Sequence, residues 1–197
     1  MTRNEPRVLD VDALKALAHS LRQRMLTRLQ REGPATSAEL AAEFRTDRGA
    51  TSYHLRQLAR FGFIEEDAGR SAGRRRYWRA VPQDLRLPRR SDDPEVAAAA
   101  EEVSRQWFDR GKQELEDYLR DREAYSEWAD AVMHSYGGTR LTPEELKQFG
   151  EEYIALLKRW HRGPGEDTPG ARHITVLFNA FPSTAETPEQ KPAGSPS

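Results

Sequence analysis

Two short, capped helical patterns separated by three residues constrain this chain more than any bulk property. Thr36-Ser37-Ala38-Glu39 has capping-box spacing, in which the Thr hydroxyl and the Glu carboxylate each accept from the other residue's backbone N–H. It opens a short helix with Leu40 and Phe44 turned inward. Arg45-Thr46-Asp47 follows as a tight turn, and Asp47 can cap a second helix from Arg48 to Phe61, whose Leu55 and Leu58 face the core. Two helices joined so closely make a helix-turn-helix. Ahead of them, Leu14, Leu17, Leu21, Met25, Leu26 and Leu29 form one apolar face that Gly33-Pro34 ends. Ser20 with Gln23 is another candidate capping box, so that stretch reads as one helix or two.

The second helix of the motif has a surface suited to a nucleic-acid groove. Arg48, Gly49, Ala50, Ser52, Tyr53, Arg56 and Gln57 are long donors or small residues, and the small ones let backbone approach a phosphate or a thymine methyl. Its capped N-terminus offers N–H groups and a positive dipole end. Taken alone, such a face is equally an exposed polar surface with Asp47 merely capping. The following residues add weight. Phe63–Asp67 is strand-like, Ala68–Gly73 a flexible tip, and Arg74–Val81 a returning strand, so Arg70, Arg74, Arg75 and Arg76 sit near the end of a hairpin that can grip a phosphate backbone or minor groove. Trp78 alternates inward as core, and Glu65-Glu66-Asp67 reads as a solvated face balancing the arginines.

The run LKALAHSLRQRMLTRLQ, ATSAELAAEF, DRGATSYHLRQLARFGFIEED and GRRRYWRA resembles the ArsR-type (arsenic-repressor-like) winged-helix family over roughly residues 11–80. The resemblance implies a dimer bound to an operator, usually as a repressor released by an effector. By position it makes Arg48, Gly49, Ala50, Ser52 and Tyr53 groove-facing, Arg70 and Arg74 wing contacts, and Thr51 and Leu55 interior. Metal-sensing members use cysteines, and this sequence has none. His19, His54, His134, His161 and His173 offer no two ligands at useful helical spacing, and His54 is expected to pack against a neighbouring helix. No metal and no cofactor are therefore expected.

Charge divides the chain. Residues 1–90 carry 19 Lys+Arg against 11 Asp+Glu, a balance of +8, while residues 91–197 carry 12 against 21, or −9. A basic half suits a polyanion and an acidic half another task. The lack of cysteine points to a reducing compartment, and with no apolar run of membrane length and no apolar signal region in residues 1–10 the expected location is the cytoplasm. The 26 arginines against five lysines suggest a GC-rich bacterial genome.

After a Pro-rich linker at 82–93, Pro94 to about Arg122 reads as one long helix capped by Asp93, with a stripe of Val96, Ala100, Val103, Trp107, Leu115 and Tyr118, and Gly111 in the same series. With no partner nearby in sequence, that stripe predicts a homodimer interface. Thr142-Pro143-Glu144-Glu145 starts a further helix to about His161 that should bury Leu146, Phe149, Tyr153, Leu156, Leu157 and Trp160. His173–Phe181 reads as a strand, with a weaker one between Ala131 and Leu141.

The expected fold is mainly α with a small β component. It comprises an N-terminal winged helix-turn-helix over 1–81, a long dimerisation helix and a small C-terminal α+β unit within 94–181, and a disordered tail over 182–197. Trp107, Phe108, Tyr118, Tyr125, Trp128, Tyr136, Phe149, Tyr153 and Trp160 either form dimer core or line a pocket for a small apolar effector. No metalloprotease, nucleophile-elbow, phosphate-loop or dinucleotide pattern occurs, and the glutamate pairs Glu144/Glu145 and Glu151/Glu152 fit a solvated helix surface, so no enzyme is expected. Two functions fit: a sequence-specific DNA-binding regulator whose partner is double-stranded DNA, or a winged helix that docks a protein instead. DNA binding has the arginines on its side and protein docking the overall acidity.

Overall fold

The computed structural model describes residues 7–71, 75–83, 85–88, 90–160, 162 and 168–183. The leucine-rich stretch forms two helices, α1 (Val11–Leu17) and α2 (Ser20–Glu32). Asp10 caps α1 by accepting from the Ala13 N–H at 2.8 Å. The Ser20–Gln23 capping box does not form, because His19 takes the N-cap position and Ser20 is already helical. The Arg22 guanidinium instead donates to the Lys15 carbonyl at 2.9 Å and to the Ala16 carbonyl, satisfying acceptors that the end of α1 leaves free.

The strand β2 (Ala35–Thr36) leads into α3 (Ser37–Glu43), and α4 (Arg48–Arg60) follows the turn. The Thr36–Glu39 capping box forms as the sequence predicts, with Glu39 N–H to Thr36 Oγ1 at 3.2 Å and Thr36 N–H to Glu39 Oε2 at 2.8 Å. These bonds hold the Glu39 carboxyl below the usual carboxylate range. Gly62, at φ +68°, reverses the chain after α4 in a conformation that a side chain would strain. The strands β3 (Ile64–Glu66) and β4 (Tyr77–Ala80) then pair antiparallel, Ile64 opposite Ala80 and Glu66 opposite Trp78. β2 adds to the other edge of β4, giving the order β2-β4-β3.

One core serves this region. Leu14, Leu17, Met25, Leu29, Leu40, Leu55, Leu58, Phe63 and Ile64 are essentially inaccessible to water. Trp78 and Phe44 are half-buried against them, as expected. The segment read as a linker takes part as well: β5 (Leu85–Arg86) pairs in parallel with β1 (Arg7–Val8), and Leu85 and Leu87 pack on the core.

The long helix α5 (Pro94–Arg120) begins as predicted, with Asp93 accepting from the Glu95 N–H at 2.8 Å and Pro94 in the first turn. Its stripe corrects the sequence reading. Ala99, Ala100 and Val103 belong to the chain's own core, with Val96 packed beside them. The Gln106 amide donates to the Ala18 carbonyl at 2.7 Å, and Lys15 pairs with Glu95. Ala100 and Val103 are thus unavailable to a second copy, because helix α1 already covers them. Farther along α5, Trp107, Phe108, Leu115 and Leu119 stay exposed.

The described residues of Met1–Val132 and Arg162–Thr175 form one compact unit, so α5 shares a unit with the winged region rather than opening a separate domain. A 3-10 helix (Arg122–Trp128) follows α5 there. The second unit holds the described residues of Met133–His161 and Val176–Ser197. Its helix α6 (Pro143–Trp160) starts with the predicted capping box, Glu145 N–H to Thr142 Oγ1 at 3.2 Å and Thr142 N–H to Glu145 Oε2 at 2.7 Å.

Two expectations fail in this half. Residues 131–141 and 173–181 form no strand, since neither finds a neighbour for its backbone N–H and C=O groups. Nor does α6 bury its apolar face: Leu146 and Tyr153 are half-covered, while Phe149, Leu156, Leu157 and Trp160 are exposed. The cover within the unit includes Phe178, whose ring stacks on Tyr153 at 3.9 Å between centroids and lies 5.8 Å from Phe149. His161 and residues 184–197, most of the expected tail, lie outside the described residues. Among the described residues no helix is long and apolar enough to cross a membrane.

Candidate nucleic-acid interface

Helix α4 is fixed from beneath. Leu55 and Leu58 are fully buried, and so is Thr51, whose Oγ1 donates to the Asp47 carbonyl at 2.9 Å and lies 3.0 Å from Thr46 Oγ1. Thr51 and Leu55 are therefore interior, as the family resemblance implied. Asp47 Oδ1 accepts from the Ala50 N–H at 2.9 Å. A Cβ on Gly49 would lie 3.0 Å from that same oxygen, tight enough to disturb the cap, so glycine there protects the helix start. The turn closes with Arg45 at φ +52°, a left-handed conformation that the sequence did not signal. Removing the cap through Asp47→Ala should cost about 1 kcal/mol of stability, read as a lower urea midpoint with unchanged slope.

With its inner side held, α4 turns the predicted residues outward. Arg48, Gly49, Tyr53 and Arg56 are exposed, while Ala50, Ser52 and Gln57 are partly covered. Tyr53 is half-exposed at 50%. Its ring stands edge-on to His54 at 5.4 Å, and His54 lies 4.5 Å from His19. His54 thus packs against the start of α2, as the sequence predicts, and its buried Nδ1 has no hydrogen-bond partner among the described residues.

Both imidazoles are held below the usual histidine value, first by burial; Arg22 adds to this for each, and His19 for His54. Lowered folded-state values mean that the unfolded chain binds these protons more readily. Stability is therefore full above about pH 6.5 and declines as pH falls below it toward the folded-state values. His54→Gln should flatten that decline in urea titrations between pH 7.5 and 5; an unchanged slope would exclude His54 as its source.

The hairpin beside α4 carries the expected basic side chains. Arg70 is exposed, 3.8 Å from Asp67, and Arg75 and Arg76 are exposed with loose pairs to Glu39 at 3.5 Å and Glu66 at 3.8 Å. Glu65 pairs across the strands with Arg79 at 2.6 Å, so the acidic cluster does balance the arginines. Such exposed pairs are weak and give way readily to phosphate. The turn is organised by Asp67 and Ser71, which accepts from the Tyr77 N–H at 3.0 Å. Arg74 lies outside the described residues. Among the described residues no cluster of metal-ligating side chains occurs.

Of the nine aromatics of the acidic half, Trp107, Phe108, Tyr125, Tyr136, Phe149 and Trp160 are exposed.

Comparison with known families matches residues 17–67 to a helix-turn-helix domain. No curated protein matches the chain. Among solved structures, reduced HlyU from Vibrio cholerae N16961 is 23% identical, covering 48% of this chain and 84% of that one with a TM-score of 0.32. A possible transcriptional regulator for arsenical resistance is 29% identical over 57% of this chain and 96% of its own, also at 0.32. Wild-type ZitR from Lactococcus lactis in complex with DNA is 15% identical over 72% and 75%, at 0.29. TM-scores of this size assign no fold to the rest of the chain. Residues 17–67 are a helix-turn-helix domain, continued by a wing and free of cysteine, of the kind that the ArsR-type resemblance implied.

Proposed function

We propose that the protein is a sequence-specific DNA-binding transcriptional regulator, acting in the cytoplasm as a repressor and as a homodimer on a pseudo-palindromic operator. The observation that carries this reading is the outward face of α4, where Arg48, Tyr53 and Arg56 are exposed above a fully buried Thr51–Leu55–Leu58 side. In this reading the two α4 helices of a dimer enter successive major grooves, about 34–36 Å apart. Ser52, Tyr53, Arg56 and Gln57 meet base edges, and Gly49 and Ala50 allow close approach. Arg48, with the wing residues Arg70, Arg74, Arg75 and Arg76, meets phosphate. The exposed Trp107, Phe108, Leu115 and Leu119 of α5 are the dimer contacts, in place of the stripe residues that the chain buries within itself.

Selection of bound fragments from the source genome, followed by mobility shifts at several salt concentrations, tests the assignment. A selected site bound at least a thousandfold more tightly than random DNA supports it. Equal affinity for both, or capture of no DNA at all, overturns it and leaves the protein-docking alternative. Arg56→Ala and Tyr53→Ala should each weaken specific binding by about 1–3 kcal/mol per lost base contact. Arg75→Ala should weaken all sequences alike and reduce the salt slope by about one.

A further inference from the structure

The second unit has a helix and an extended segment but no interior: none of its described residues is buried. On α6, Phe149, Leu156, Leu157 and Trp160 recur at helical spacing and stay exposed. In the segment at 176–181, Val176, Leu177, Phe178 and Phe181 are between 38% and 75% exposed. An apolar face has to be covered for the ordering of its chain to be repaid. Within the unit the Phe178 ring stacks on Tyr153 and approaches Phe149, which sets the side of the segment that faces α6.

The segment is short of backbone partners as well. Among the described residues no backbone–backbone hydrogen bond reaches residues 176–181, although Val and Phe favour strands. A row of open N–H and C=O groups is a template for another strand. The described strands of this chain are two to four residues long, pair with one another, and belong to the other unit.

Charge and area both favour a second copy of the same chain as the missing cover. From His173 to Phe181 there is no Asp, Glu, Lys or Arg, so the segment can pair with itself without opposing like charges. Helix α6 begins with Glu144 and Glu145 and ends with Lys158 and Arg159. About a twofold axis, two antiparallel α6 helices therefore bring an acidic start beside a basic end. The exposed parts of the eight apolar side chains come to roughly 800 Å2, at about 200 Å2 for a large side chain, which is what each partner contributes to a stable interface.

We propose that residues 176–181 pair antiparallel, about a twofold axis, with the same segment of a second copy. The product is a two-stranded ribbon with both α6 helices on the face of Val176, Phe178 and Ala180. Strand alternation puts those three residues on one side, and helices packed on that side give the support that an isolated two-stranded ribbon lacks. The ribbon adds to the α5 contacts. It rests on the homodimer of the proposed function and not on DNA binding.

A chain without cysteine lends itself to a direct test, in which single cysteines replace residues 176 to 181 in turn and are oxidised. Directly opposed residues lie about 4.5–5.5 Å apart between Cα atoms, within reach of a disulfide. A residue's distance from its own copy then grows by about 7 Å for each position away from the axis. Cross-linked dimer should therefore form at one position or two adjacent ones, and at least tenfold more slowly two positions farther on. Should the variants fail to fold, amide exchange in the unaltered chain decides. Every second amide of the segment bonds across the pair, so that set should exchange at least tenfold more slowly in concentrated protein than after dilution to monomer. A monomer at every concentration overturns the dimer and the ribbon together. A dimer that Phe108→Asp dissociates, but that shows no cross-link at 176–181 and no such protection, overturns the ribbon alone. Equal cross-linking at all six positions, or protection that requires a different protein, also overturns it.

Discussion

Phe63→Ala is expected to destabilise the protein by about 3–5 kcal/mol, a large fraction of the roughly 5–15 kcal/mol available to a domain. Phe63 is the largest of the fully buried side chains and sits where α4 turns into β3. Its N–H donates to the Leu58 carbonyl at 3.0 Å and its carbonyl accepts from Val81 at 3.0 Å, so the residue ties α4 to the hairpin through backbone as well as ring. Arg7 lies over the ring at 5.0 Å, and the same guanidinium reaches Gln83 at 3.0 Å. Removing the ring leaves a cavity that this crossing of three elements cannot close. Urea unfolding followed by circular dichroism measures the loss; a cost under 1 kcal/mol would show that the junction repacks freely. Operator affinity should fall alongside, since helix and wing lose their common anchor.

The second large effect separates the two roles of α5. Val103→Asp should cost about 4 kcal/mol or more, because it places a carboxylate at a fully buried site within the apolar core. The chain is then expected to unfold or to populate a loosened state at neutral pH, and to regain stability as pH falls and the carboxyl takes up a proton. Phe108→Asp, five residues on and 52% exposed, should leave unfolding within about 0.5 kcal/mol of the parent. It should nonetheless shift sedimentation toward monomer if α5 supplies the dimer contacts. Were Val103→Asp to leave unfolding as little changed as Phe108→Asp, the packing of α5 against α1 would be incidental.

The parts of the chain that could be read directly are those whose signals are local. Thr36 with Glu39, Thr142 with Glu145 and Asp93 ahead of Pro94 announce helix starts because every hydrogen bond involved spans only a few residues. The outward face of α4 follows from periodicity once Leu55 and Leu58 are turned in. Ser20 pointed to a helix boundary that does exist, but the cap position falls to His19 and no side chain caps α2. β2 and β5 were invisible, each being two residues long and created by pairing with β4 and β1. The strand-like run at His173–Phe181 shows the converse, high β propensity with no neighbour to pair with.

The apolar stripe of α5 marks the limit of such reading. A pattern of Val96, Ala100, Val103, Trp107 and Leu115 says that one side of the helix avoids water, but not which surface covers it. Tertiary packing split the stripe, closing Ala100 and Val103 beneath α1 and leaving Trp107 and Leu115 open. Gln23 is the same lesson inverted, a polar residue whose spacing suggested a cap and whose burial beside Arg110 became apparent only once α2 and α5 met.

By itself the amino-acid order determined where helices begin, which side of α4 is apolar, that arginines crowd the hairpin, and that no thiol chemistry is available, since each depends on neighbours along the chain. Only the tertiary structure decided which half of α5 is core, that residues 85–86 are a strand, that α6 keeps Phe149 and Leu157 exposed, and that Gln23 is buried. Those outcomes depend on surfaces brought together from distant parts of the sequence, and burial is a property of the assembled surfaces rather than of any one of them.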